Sequence, residues 1–241
     1  MDIGVDVGRR VVIGTLSVAA LSAVTGVAMT AENTADGETP LVTGRAKATV
    51  MRTIFTQVVW SGVPFRHAIM RIAQQLNVGV LIDRRLDPDR TVELRVETPT
   101  DAARMFGIVA ELQSATVIEC GDILLLTPRT AAEKWTDMQR TWVLEQKRAP
   151  ATLRSALTRG GEVSWSDFAR PRRLVERWCD AELAPVGRPE SYDAIPHDHI
   201  AAARLPAVPL ADRLLLIAFQ YDVIPRITGP RLIFEGAGMK R

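Results

Sequence analysis

The stretch VPFRHAIMRIAQQLNVGVLID, Val63 to Asp83, decides the fold. Pro64 stands where a helix tolerates proline, in its first turn. Ala68, Ile72 and Leu76, with Ile69 and Ala73 beside them, recur at three and four residues and draw one apolar face. Arg66, Arg71, Gln74 and Gln75 take the wet side, and VGVLID then supplies a buried strand. The same order of turn, short helix and strand returns after Pro99 (TDAARMFGIVAELQSATVIE), after Pro171 (RRLVERWCDAELAPV) and after Pro209 (LADRLLLIAFQYDVIPRI).

Around the first two copies the pattern closes into a unit. TQVVWSGV suits a strand. In TVELRVE, Val92, Leu94 and Val96 alternate with Glu93, Arg95 and Glu97, the period-two signature of a half-exposed strand. Thr100 or Asp101 stands near the positive end of the second helix, whose stripe is Met105, Ile108, Val109 and Leu112. ATVIEC and ILLLTP flank Gly121-Asp122, a spacing that suits a hairpin. The order predicted is β-α-β-β-α-β-β.

A second unit repeats the plan. Trp165-Ser166 in EVSWSDFA echoes Trp60-Ser61, AAARLPAV parallels TVELRVET, and VIPRI and RLIFEG form a hairpin about Gly229-Pro230. Matching landmarks lie about 105 to 110 residues apart, as a duplication with unequal loops would leave them. Between the units, Trp135, Met138 and Trp142 mark one face of a helix that Pro150 breaks, expected to pack against the first unit. The predicted class is therefore α+β: two tandem small β-α-β-β-α-β(-β) domains joined by a helical linker, after an N-terminal hydrophobic helix. The expected divisions are 1–49 (leader or anchor plus polar linker), 50–128, 129–158 and 159–241.

Composition narrows the function. Of 241 residues, 47% are hydrophobic and 24% charged, the balance of a folded chain. Thirty basic against 28 acidic residues leave a formal charge of +2, too even for the clustered basic face that nucleic-acid binding demands. The densest basic cluster is Arg170, Arg172, Arg173 and Arg177, read as a solvated helix face or a docking surface for an acidic partner. Arg9 and Arg10 precede about 21 uncharged residues, Val11 to Ala31, and Glu32, Asp36 and Glu38 follow. That asymmetry places the remainder outside the cytoplasm, exported behind either a cleaved signal or a membrane anchor. Cys120 and Cys179 are the only cysteines, in different units, and are expected to be free.

The segments WSGVPFRHAIMRIAQQLNVGVLID, TVELRVETPTDAARMFGIVAELQ and GDILLLTP resemble the secretin and TonB N-terminal short domain, STN, over about Val58 to Pro128. Glu162 to Gly236 resembles it more weakly, its middle GRPESYDAIPHDHI being longer. The resemblance implies a periplasmic, non-catalytic module that docks onto other envelope proteins, with an envelope protein or a second copy as partner and no cofactor.

One constellation points elsewhere. His197 and His199 in HDH would share a face on a strand and could ligate zinc or copper, with Asp193, Glu190 or Cys179 as a third ligand. That is the alternative function: a metal-binding protein or a metal-dependent enzyme. Solvated turn residues are the plainer reading of the pair. His67, beside Arg66, reads as a surface residue. The three carboxylates of DRRLDPD, from Asp83 to Asp89, fall in a connection where charge is expected, so paired acid-base chemistry is not predicted from them.

Overall fold

The computed structural model describes residues 39–184, 187 and 189–236. The expected hydrophobic helix at Val11 to Ala31 lies outside them. The described residues form one compact unit of mixed α+β structure.

The chain enters through α1 (Gly44–Val50), inside the span expected to be linker. Its start and middle are fixed to the Gly121-Asp122 turn: Asp122 accepts from the Gly44 amide at 2.7 Å, and Lys47, almost fully buried, donates to Gly121 O at 2.8 Å. A short strand β1 (Ile54–Phe55) precedes β2 (Val58–Pro64) and α2 (Phe65–Leu76). Pro64 is the residue that caps α2, one position before the helix proper. The apolar stripe is buried as its spacing predicts: Phe65, Ala68, Ile69, Ile72, Ala73 and Leu76 face inward. Asn77, left-handed at φ 53, ends the helix and turns the chain into β3 (Gly79–Ile82).

Next come β4 (Thr91–Val96), which pairs antiparallel with β2, and β5 (Thr100–Asp101), which pairs with β1. Helix α3 (Ala102–Glu111) begins after Asp101, whose side chain accepts from the Arg104 amide. Pro99 therefore stands just outside α3. Strands β6 (Ala115–Cys120) and β7 (Ile123–Pro128) make the hairpin about Gly121, and β3 joins β7 in parallel to complete a three-stranded sheet.

Two helices follow, α4 (Arg129–Arg148) and α5 (Ala151–Leu157), with Pro150 at the break. The second half runs β8 (Gly160–Trp165), α6 (Pro171–Glu182), β9 (Ala203–Pro209), α7 (Leu210–Gln220), β10 (Val223–Thr228) and β11 (Arg231–Gly236). Its pairings copy those of the first: β8 lies antiparallel to β9 as β2 lies to β4, and β10 to β11 as β6 to β7. Local strain recurs too. Ser114 and Asp222, each just after a helix, have φ 53 and 56, and Gly121 and Gly229 turn the two hairpins at φ 58 and 60. The halves differ after their first helix, where the second has no described strand matching β3 and the chain reaches β9 through an irregular segment.

The three-stranded sheet is apolar on both faces. Val80, Leu124 and Leu126 belong to a core with α2 and α3, whereas Leu81, Ile123 and Leu125 alternate into a second core. That second core holds Trp135, Met138 and Trp142 of α4 together with α5, α6 and α7. The aromatic stripe of α4, expected to pack against the first unit, thus reaches into the second as well. Trp135 meets Phe219 edge-on at 5.1 Å, and the Trp142 indole donates to Ala211 O at 3.0 Å. Strand β3 also runs close to β9: a Cβ on Gly79 would come 2.5 Å from Pro206 Cδ, so only glycine fits there.

Candidate functional site

Three places on this scaffold carry chemistry. The first is Asp83-Arg84-Arg85, immediately after β3. Asp83 is 0% exposed, and its oxygens are fully engaged. Oδ1 accepts from the Arg85 amide at 3.0 Å and Arg85 Nε at 2.9 Å, while Oδ2 accepts from Arg85 Nη2 and Thr127 Oγ1, both at 2.7 Å. The Asp83 amide continues the sheet by donating to Leu126 O at 2.8 Å. Held this way, the Arg85 guanidinium lies over the Phe219 ring at 4.5 Å. Arg84 lies over the Tyr221 ring at 4.7 Å, pairs with Asp198, and its amide donates to Gln220 Oε1 at 3.1 Å. Lys134 reaches Asp222 at 2.5 Å. The motif is a clasp on the end of α7. A carboxylate with both oxygens spent on fixed donors has no lone pair aimed at a substrate, so the geometry is structural.

Beside the clasp is a cavity of about 190 Å³, lined by Arg66, Met70, Leu81, Leu86, Ile200 and Gln220 among others. Its walls are mostly aliphatic, and Gln220 at its edge is engaged, accepting from the Arg84 amide.

The second place holds the histidines and the basic cluster. His197 and His199 are both exposed, in irregular chain rather than on a strand. His197 Nε2 lies 2.9 Å from Arg172 Nη1, and the His199 ring stands edge-on to Phe168 at 6.1 Å. The three residues considered as a third ligand have other partners. Asp193 accepts from Arg172 at 2.7 Å and Ser191 at 2.7 Å, Glu190 pairs with Arg231, and Cys179 is buried. Ser191 first, then Arg172, hold the Asp193 carboxyl below the usual range. Among the described residues no group of three His, Cys, Asp or Glu side chains is placed to hold a metal. Of the basic cluster, Arg172 turns back to Glu176 and Asp193, whereas Arg170, Arg173 and Arg177 point outward. His67 is exposed on α2. Both cysteines are free and buried, and burial pushes each thiol up to about 12.

The third place is the β1 and β2–β4 ribbon edge. Ile54 on β1 and Val59 on β2 are each 53% exposed, whereas the outward residues of β4 are Thr91, Glu93 and Arg95. Each of these strands has a single hydrogen-bonded neighbour, so backbone groups line an unpaired edge.

Sequence reasoning took Asp83 only as one of three loop carboxylates and passed over Phe168, Ile54 and Val59. Asp83 had one legible signal, an arginine two residues on. An exposed aromatic at positive φ leaves none in sequence. Compared with known proteins, the chain matches no family model and no curated protein.

Proposed function

We propose that the chain is a non-catalytic protein-protein interaction module of the cell envelope, built from two STN-like copies and displayed outside the cytoplasm. The matching order of pairings in the two halves, with helix-end strain and hairpin glycines repeated, supports an internal duplication. The uncharged segment after Arg9 and Arg10 supports export, held at the inner membrane or released to the periplasm.

The observation that carries the docking reading is the exposure of Ile54 on β1 and Val59 on β2, two strands that each have one hydrogen-bonded neighbour. An extended segment of an envelope partner, or of a second copy, adds its backbone to such an edge and seats an apolar side chain on each exposed one. The clasp at Asp83 supports the same reading: charge inside the fold is spent on rigidity, and rigidity suits a docking scaffold.

The test compares the full chain with an Ile54→Asp/Val59→Asp variant in cross-linked envelopes and in solution. A discrete adduct, or a self-associated species, is expected for the parent and lost in the variant at unchanged melting temperature. An adduct pattern indifferent to both substitutions contradicts this docking edge.

A further inference from the structure

We propose that Phe168, with Arg170, Arg173 and Arg177, is a contact patch for an anionic phospholipid surface. The proposal rests on the envelope reading, with Val11 to Ala31 acting as an anchor.

Phe168 is 79% exposed and sits at φ 64. A bulky aromatic in the left-handed region is strained, and such strain persists only where the surroundings impose it. Here they do, from both sides. Asp167 accepts from the Ala202 amide at 2.8 Å and pairs with Arg66 at 2.8 Å. Ala169 forms a bridge with Ile200, and its amide donates to Ser166 O at 3.3 Å. The fold therefore fixes the loop and turns the ring outward, where among the described residues it meets the His199 ring edge-on.

The charge around that ring is one-sided. Arg170 caps α6 two residues on, and Arg173 and Arg177 follow at helical spacing on one exposed face. The nearby acids are paired with arginines outside this face: Asp167 with Arg66, and Asp193 and Glu176 with Arg172. Asp180 closes the far end of the face. An exposed ring flanked by outward arginines fits a surface with negative headgroups over an apolar interior.

The length of chain ahead of Thr39 bounds how far an anchoring surface can lie from it. Seven residues, Glu32 to Glu38, separate the uncharged segment from Thr39. Extended, they span about 25 Å. Thr39 O accepts from Arg204 at 3.0 Å, and Arg204 is the register partner of Ser164 on β8. The Arg204 guanidinium turns toward Glu162, from which the chain reaches Phe168 in about 20 Å. An acidic protein segment would satisfy the arginines, but the anchor supplies the lipid surface without a second diffusing partner.

The experiment uses the full chain carrying Phe168→Cys labelled with an environment-sensitive dye, Cys120 and Cys179 being buried. It is reconstituted with phosphatidylglycerol–phosphatidylcholine vesicles or with phosphatidylcholine alone. The label is expected to shift to the blue and to be quenched by a lipid-phase quencher about fivefold more strongly on the anionic vesicles. An Arg170→Glu/Arg173→Glu/Arg177→Glu background should reduce quenching to the neutral-vesicle level, as should high salt. A chain that floats with vesicles while its label stays in water overturns the patch and leaves the anchor standing. A chain that does not float overturns both. A label that stays in water on vesicles but shifts with polyglutamate assigns the patch to an acidic protein segment and overturns the lipid proposal.

Discussion

The Arg85 guanidinium lies 4.5 Å above the Phe219 ring while its Nη2 holds Asp83 at 2.7 Å, so one side chain joins the end of β3 to the end of α7. The two residues are 134 positions apart and belong to different halves of the chain. Beneath them β3, β6 and β7 offer alternate residues to two cores. The halves are thus bound twice, by a shared apolar sheet and by a charged clasp at its edge.

Removing Asp83 tests the clasp. Asp83→Ala leaves the buried Thr127 hydroxyl without its acceptor and takes three hydrogen bonds from Arg85, which keeps Asp222 and the Phe219 ring, and a loss of about 1–3 kcal/mol is expected. Asp222→Ala removes only exposed pairs to Arg85 and Lys134 and should cost less than about 1 kcal/mol. Denaturant melts of the two variants read the difference directly.

The helix faces can be tested in the same way. Ile72 and Val109 are buried against the sheet from α2 and α3, and truncating either to Ala should cost about 1–4 kcal/mol. Arg71→Ala and Gln74→Ala, on the exposed side of α2, should stay within about 0.5 kcal/mol. The opposite ordering would mean that the face is misassigned.

The thiols set an alkaline limit. Burial pushes Cys120 and Cys179 up to about 12, above the value near 8.5 of an unfolded chain. Between those values the unfolded chain gives up protons that the folded one keeps, so stability falls as pH rises through that window. Native protein should resist maleimide at pH 8, and denatured protein should take up two labels. Rapid labelling of the native chain would place either thiol at the surface.

How much of this was legible in sequence follows from how local each signal is. The α2 stripe, the alternation of β4 and the hairpin at Gly121-Asp122 are short-range patterns, and each appears where the spacing places it. Trp135, Met138 and Trp142 were legible as a buried face, but not the elements that bury them, because periodicity does not name a partner. Asp83 reads as a loop carboxylate until Thr127, 44 residues away, closes over it. After α6 the segment preceding His197 is long enough for a strand like β3, yet no described strand forms there. Its sequence, interrupted by Pro185, Pro189 and Pro196, offers few consecutive apolar residues to pair. The strain at Phe168 comes from Asp167 and Ala169 being anchored to a distant segment, which no local motif encodes.

Native-state hydrogen exchange of the full chain in rising denaturant tests the central claim, that one shared sheet makes the two halves a single cooperative unit. Peptides covering α2 to β4 and peptides covering α6 to α7 should open together, with the same midpoint and the same free energy. Loss of protection across residues 160–236 at denaturant concentrations that leave 54–128 protected would contradict it.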